Sequence, residues 1–275
     1  MTYRNEDVLD FYKELPFNIY GDLESAKKQI EKYNPLETYP ELKKIINEYD
    51  KIKIMDFGCG GGWLVNSLSY HLKDRAEVTG VDFNPKVIDY ANKIKDLLNL
   101  NSKFFSSDLF TFKKNTDYNL IISLGVLHHT NNCEEAIKHV STYGAEKSYF
   151  FLGLYHSYGR KPFLDYFKKI QHKSEEYRFS EYKKLQNIND EKKMYSWFRD
   201  QVLHPYETQH SFEEILKIFK MINYNIISTS INRFNKIKNF RDIIDEEKKL
   251  ELYSKQKLEQ KEYYPGFFIT IGKKI

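Results

Sequence analysis

Ile52-Lys53-Ile54-Met55-Asp56-Phe57-Gly58-Cys59-Gly60-Gly61-Gly62-Trp63 is the stretch on which the reading of this chain turns. A short apolar run ends at a carboxylate, and a glycine-dense turn follows. Leu64, Val65, Leu68 and Leu72 then recur at helical spacing, so the turn is predicted to join a buried strand to a helix. Glycine at such a turn lets backbone approach a ligand in conformations that a Cβ would forbid. About twenty positions on, Glu77-Val78-Thr79-Gly80-Val81-Asp82 reads as a second strand ending in a carboxylate suited to a ribose diol.

Dinucleotides and S-adenosylmethionine both bind at strand, glycine turn and helix. The dinucleotide fingerprint is Gly-x-Gly-x-x-Gly, with its pyrophosphate at the helix N-terminus. Here Gly58, Gly60 and Gly62 form Gly-x-Gly-x-Gly, and Trp63 stands where the third dinucleotide glycine belongs. Asp56 suits a cationic partner, such as an α-ammonium group, better than a phosphate. Two later strands follow in order: Phe104-Phe105-Ser106-Ser107-Asp108-Leu109, then Asp117-Tyr118-Asn119-Leu120-Ile121-Ile122-Ser123-Leu124-Gly125-Val126-Leu127-His128-His129.

On these four elements the chain resembles class I S-adenosylmethionine-dependent methyltransferases, over residues 51–151. The Gly-Val-Leu-His-His run is similar to the metal-independent branch acting on small molecules. The resemblance implies a Rossmann-like α/β fold: a seven-stranded, mostly parallel sheet whose last strand is antiparallel. It also implies S-adenosyl-L-methionine as cofactor, S-adenosyl-L-homocysteine as product, and no metal. Cofactor contacts are implied at Asp56, Gly58, Gly60, Gly62, Asp82, Phe83, Asp108, Leu109, Leu124 and Gly125.

The remaining sequence is read around that core as one domain covering 1–275. Residues 1–50 are predicted to form a helical lid, with helices before Pro16, at 23–33 and at 39–49. Tyr12, Phe17 and Tyr20 are its candidate substrate contacts. Residues 51–154 are the cofactor-binding core, 155–210 a helical substrate-side insertion after strand five, and 211–275 the end of the sheet. The charged stretch 240–264 reads as helix, with its Glu246-Glu247-Lys248-Lys249 run on a solvated face.

Methyl transfer needs an acceptor lone pair aligned with the methyl group, and a protonated acceptor also needs a base. His128 and His129 after strand four are candidates, His128 as base and His129 as a substrate contact. Tyr155 and Arg160, in Tyr155-His156-Ser157-Tyr158-Gly159-Arg160, stand after strand five. Tyr155 is suited to orient a hydroxyl, and Arg160 to hold a carboxylate or phosphate. In the insertion, Trp197-Phe198-Arg199-Asp200-Gln201-Val202-Leu203-His204 offers Trp197 as a substrate wall and Asp200 with His204 as a dyad.

Composition sets further bounds. With 43 basic and 39 acidic residues the net charge is +4, which gives little push toward nucleic acid. Two cysteines without ligand-like spacing suggest neither disulfides nor zinc. No apolar run is long enough to span a bilayer, so no membrane partner and a cytoplasmic setting are expected. A small-molecule acceptor is the expected partner. RNA modification, protein methylation and a non-catalytic cofactor-binding role are the competing readings, and the sequence leaves the oligomeric state open.

Overall fold

In the computed structural model the apolar run before the glycines is strand β1 (Ile52–Phe57), in the interior of a seven-stranded sheet. The structure describes residues 6–17, 19, 21–113, 116–186 and 188–275. The other strands are β2 (Ala76–Asp82), β3 (Lys103–Ser106), β4 (Tyr118–Leu124), β5 (Gly144–Tyr155), β6 (Tyr224–Thr229) and β7 (Phe267–Lys274). Their order across the sheet is β3-β2-β1-β4-β5-β7-β6. β1 to β5 pair in parallel, and β7 inserts antiparallel between β5 and β6.

Alternation along the strands divides the core into two layers, because successive side chains leave opposite faces of a pleated strand. Ile52 and Ile54, Leu120 and Ile122, and Tyr149 and Phe151 face one layer. Helices α4 (Pro40–Ile46) and α5 (Trp63–Leu72) cover that side with Leu42, Ile45, Leu64, Val65 and Leu68. Met55 and Phe57, Ile121, and Phe150, Leu152 and Leu154 face the other layer, against α7 (Cys133–Ser141) and α11 (Phe212–Met221). β1 and β4 are buried along nearly their whole length, as parallel strands covered on both faces should be.

Before the sheet come α1 (Glu6–Glu14), α2 (Leu23–Lys32) and the short α3 (Pro35–Thr38). The proline at each start explains why the expected 39–49 helix is a shorter piece, with α3 ahead of it. α6 (Pro85–Leu97) is capped by Asn84, whose side chain accepts from the Lys86 N–H at 3.0 Å.

After β5 the chain forms α8 (Ser157–Lys169), α9 (Glu175–Lys183) and α10 (Glu191–Phe198), followed by a π-helical turn over Arg199–Leu203. These helices have a small core of their own, made by Phe163, Phe167, Tyr182, Met194 and Phe198. Tyr263, from the segment before β7, packs into it. α12 (Phe240–Glu247) and α13 (Leu250–Glu259) complete the chain between β6 and β7.

One expectation is corrected here. Glu247 was predicted on a solvated face, but it is buried. Its carboxylate accepts from the Phe212 backbone N–H at 2.6 Å and lies 2.9 Å from Nε2 of the buried His156. The pattern of charge could not reveal this, because both partners are distant in sequence. Breaking a buried carboxylate cluster leaves donors stranded, so Glu247→Ala should cost about 3 kcal/mol of stability. The exposed neighbour substitution Glu246→Ala should stay within about 0.5 kcal/mol. Chemical denaturation of the two variants checks this.

Candidate active site

The carboxyl ends of β1, β2, β4 and β5 open on one side of the sheet, where ligands bind in such folds. There the glycine turn is held by backbone: Gly58 and Cys59 both donate to the Val81 carbonyl, at 2.7 and 3.1 Å. Asp82, at the end of β2, accepts from the N–H groups of Gly60 and Asn84, each at 2.9 Å. One side chain thus fixes both the turn and the start of α6.

Two glycines have distinct physical reasons. At Gly62 φ is +74°, and an added Cβ would lie 2.7 Å from the Ala91 Cβ and 2.8 Å from the Phe104 ring. It permits close packing of α5. At Gly60 φ is +51°, and an added Cβ would meet no protein atom within 4 Å. That backbone borders open space and can lie directly against a ligand.

The space is a cavity of about 400 Å³. Gly58, Gly60, Asp82, Phe83, Asp108, Leu109, Leu124 and Gly125 form one part of its wall. Tyr12, Phe17, His129, Tyr155, Trp197 and Asp200 line another part, with Gln201, Tyr263, Pro265 and Phe267. Of the expected contacts, Asp56, Gly62, His128, Arg160 and His204 are not on the wall, and Tyr20 lies outside the described residues.

Asp56 sits behind the turn, and burial, then the charge of Asp82, pushes its carboxyl up to about 7. Burial likewise raises Asp82 to about 6, although its backbone hydrogen bonds oppose this. Two carboxylates crowded without a cation resist sharing negative charge, and a cationic group beside them would relieve that cost.

The three histidines near the cavity are distinguished by tautomer. His129 Nδ1 lies 3.0 Å from the Tyr206 carbonyl, which can only accept, so Nδ1 carries the proton and Nε2 is the free base. Burial lowers its pKa to about 4, so it is neutral at physiological pH. His128 Nδ1 accepts from the Tyr155 N–H at 3.4 Å, and His204 Nδ1 from the Tyr206 N–H at 3.1 Å. Both are neutral, with burial lowering His128 strongly and His204 to about 3. Each therefore carries its proton on Nε2, buried without a partner among the described residues. His204 stacks on His129 with ring centroids 3.8 Å apart.

Asp200 is engaged by residues other than His204. Tyr12 Oη donates to its Oδ1 at 2.6 Å, and Gln201 Nε2 to its Oδ2 at 2.9 Å. Gln201 Nε2 also donates to Tyr155 Oη, while Gln201 Oε1 accepts from Tyr263 Oη at 2.6 Å. Arg160 is fully buried and committed. It meets both Glu207 oxygens at 3.1 and 2.8 Å, the Gln201 Oε1 and carbonyl at 2.8 and 2.9 Å, and the Pro265 carbonyl at 3.5 Å. Those contacts occupy its five N–H donors, leaving none for a substrate. Its guanidinium carbon stands 4.1 Å from the Tyr155 ring centre, so it supports the cavity wall from behind.

Gln201, Tyr263, Pro265 and Phe267 escaped sequence reasoning. Gln201 lies in the dense stretch already singled out. The Tyr263-Tyr264-Pro265-Gly266 turn before the last strand was the available signal for the others.

A family model described as "Methyltransferase domain" matches residues 48–265. The chain belongs to this family. S-adenosylmethionine is the cofactor of this class I family, and the fold agrees with it. Magnesium protoporphyrin IX methyltransferase (ChlM) from Synechocystis PCC 6803, solved with bound SAM, superposes with a TM-score of 0.55 at 15% identity, covering 98% of this chain and 97% of that one. PKMT2 from Rickettsia typhi, in complex with AdoHcy, gives 0.61 at 15% identity, over 85% and 52%.

Among curated relatives, malonyl-[acyl-carrier protein] O-methyltransferase of Bacillus cereus is 26% identical over 169 residues, 59% of this chain and 56% of that protein. A probable (S)-tetrahydroprotoberberine N-methyltransferase 2 of Papaver bracteatum is 31% identical over 100 residues, 36% of this chain and 28% of that protein. The chain thus spans little more than half, or less, of the length of these relatives. Among the described residues no helix is long and apolar enough to cross a membrane, and no group of three or more His, Cys, Asp or Glu is placed to hold a metal.

The residues present fit the cofactor. Gly60 offers open backbone, Asp82 and Asp108 line the wall, and among the described residues no cation offsets the Asp56–Asp82 pair. A pH dependence follows. Both raised carboxyls bind protons in the folded state that the unfolded chain has lost, so this pair lowers stability as pH rises from about 4 to about 7. Cationic ligand binding must displace those protons. Affinity for S-adenosylmethionine should therefore fall roughly tenfold or more between pH 7.5 and pH 5.5, and Asp56→Asn should flatten the dependence. Calorimetric titration across that range checks it.

Proposed function

We propose that this chain is an S-adenosylmethionine-dependent methyltransferase acting on a small-molecule acceptor, in a cytoplasmic setting. The observation that carries the reading is the joined cavity. The glycine turn, Asp82 and Asp108 line one part, and Tyr12, Phe17, Trp197 and Tyr155 line the other. Residues 1–50 then serve as a lid and 155–210 as the substrate-side wall of one methyltransferase unit.

In this reading Asp82 accepts from the ribose hydroxyls, and Asp108 lies beside the adenine. The bound cofactor supplies a methyl group whose bond electrons stay on sulfur as the acceptor lone pair forms the new bond. The chain's own residues do the remaining work. Apolar walls exclude water, and the aromatic rings orient the acceptor. His129 Nε2 is the unprotonated nitrogen available to take the acceptor's proton, with Nδ1–H anchored on Tyr206.

Tyr12 ties the lid to the insertion through Asp200. Arg199 adds bonds to the Phe11 carbonyl at 3.2 Å and to Glu14 at 2.9 Å. Asn84 Nδ2 donates to the Tyr12 carbonyl at 3.1 Å, which links the lid to the cofactor half.

Calorimetry with S-adenosylhomocysteine is the direct test. Binding in the micromolar range is expected, with Asp82→Ala weaker by roughly tenfold, the loss of one charge-assisted hydrogen bond. With a turned-over acceptor, His129→Gln should lower kcat by about a hundredfold while leaving S-adenosylhomocysteine affinity within about twofold. No binding by folded protein would sink the proposal.

A further inference from the structure

We infer that the acceptor is a cationic amine with an apolar, ring-bearing body, and that the Asp200 carboxylate holds its nitrogen. This deepens the methyltransferase reading and rests on it.

Among the described residues, the acceptor half of the cavity joins Tyr12, Phe17, Trp197, Tyr263 and Phe267 to one carboxylate, Asp200. Asp200 is buried, and among the described residues each oxygen has one hydrogen-bond donor, Tyr12 on one and Gln201 on the other. A carboxylate has room for about four acceptor contacts, so the described residues use about half of its capacity. Among the described residues no cation forms an ion pair with it, although the Arg160 charge acts on it from a distance. The nearby cation, Arg160, meets both oxygens of Glu207 in a fork and is balanced there. Burial accordingly holds the Asp200 carboxyl above its ordinary range.

A buried carboxylate without a paired cation is costly, and one that shares its cavity with several aromatic rings is matched by an ammonium group. An anionic acceptor would instead face Asp200, Asp82 and Asp108, with no lysine or arginine on the wall among the described residues. A neutral alcohol would gain a hydrogen bond without relieving the charge. The chemistry balances for an amine. The ammonium must first lose one proton to solvent, with His129 Nε2 only relaying it, because burial holds that imidazole at about 4 and an imidazolium does not persist there. The freed lone pair then forms the bond to the methyl carbon, whose former bonding electrons stay on the cofactor's sulfur, and the methylated nitrogen remains cationic beside Asp200.

The test uses protein saturated with S-adenosylhomocysteine and matched probes of one shape and three charges: 2-phenylethylamine, 2-phenylethanol and phenylacetate, then tryptamine, tryptophol and indole-3-acetate. The amine of each set should bind at least about tenfold tighter than its alcohol, and the acid weakest. Asp200→Asn should bring the amine-to-alcohol ratio to about one. Tyr12→Phe, which removes the lid bond but keeps the charge, should preserve the ratio. Should Asp200→Asn fail to fold, the ordering in the unmodified protein decides alone. Amines binding no tighter than alcohols, or acids binding tightest, would overturn the inference while normal S-adenosylhomocysteine binding leaves the cofactor reading standing. Loss of that cofactor binding itself would overturn both.

Discussion

The buried guanidinium of Arg160 is the interaction on which the acceptor side of the molecule depends. It stands in the first turn of α8, just past the end of β5, and draws two distant segments to one point. Glu207 and Gln201 come from the end of the insertion, and Pro265 from the approach to β7. A fully buried cation is tolerable only when its charge is matched and its donors are used, and here both conditions hold. The arrangement sets the Tyr155 ring and places Gln201 between Asp200 and Tyr263. Removing the guanidinium would leave Glu207 uncompensated and the wall without its support.

On the cofactor side the corresponding constraint is Asp82. By holding Gly60 and Asn84 it couples the glycine turn to the N-terminus of α6, and Asn84 passes that order on to the lid through the Tyr12 carbonyl. Tyr12 in turn reaches Asp200. A continuous hydrogen-bonded path therefore runs from the glycine turn to Gln201 and Arg160. The two ends of the cavity differ in what they lack. At the turn, Asp56 and Asp82 crowd each other; across the cavity, Asp200 has donors but, among the described residues, no paired cation. Both imbalances favour positively charged ligands, a sulfonium amino acid at one end and an amine at the other.

The sheet was legible because its determinants are local. The Gly58–Gly62 turn, the carboxylates ending β1 and β2, and the unbroken apolar run of β4 each carry their meaning in a few adjacent residues. The antiparallel place of β7 followed from the family resemblance. Side-chain partners were not legible. Nothing near Arg160 in sequence announces Glu207 or Pro265, so its guanidinium looked free to hold an anion. His128 and His129 are chemically identical on paper, and only the Tyr155 N–H and the Tyr206 carbonyl give them opposite tautomers. The Asp200–His204 spacing suggested a dyad, yet the π-helical turn between them leaves Asp200 to Tyr12 and sends His204 onto the His129 ring.

The most direct test of the account is a crystal structure with S-adenosylhomocysteine bound. The ribose is expected within hydrogen-bonding distance of Asp82, the amino-acid moiety against Gly60, and the sulfur facing the chamber bounded by Tyr12, Asp200 and Trp197. A ligand seated elsewhere, or one whose sulfur points away from that chamber, would contradict it.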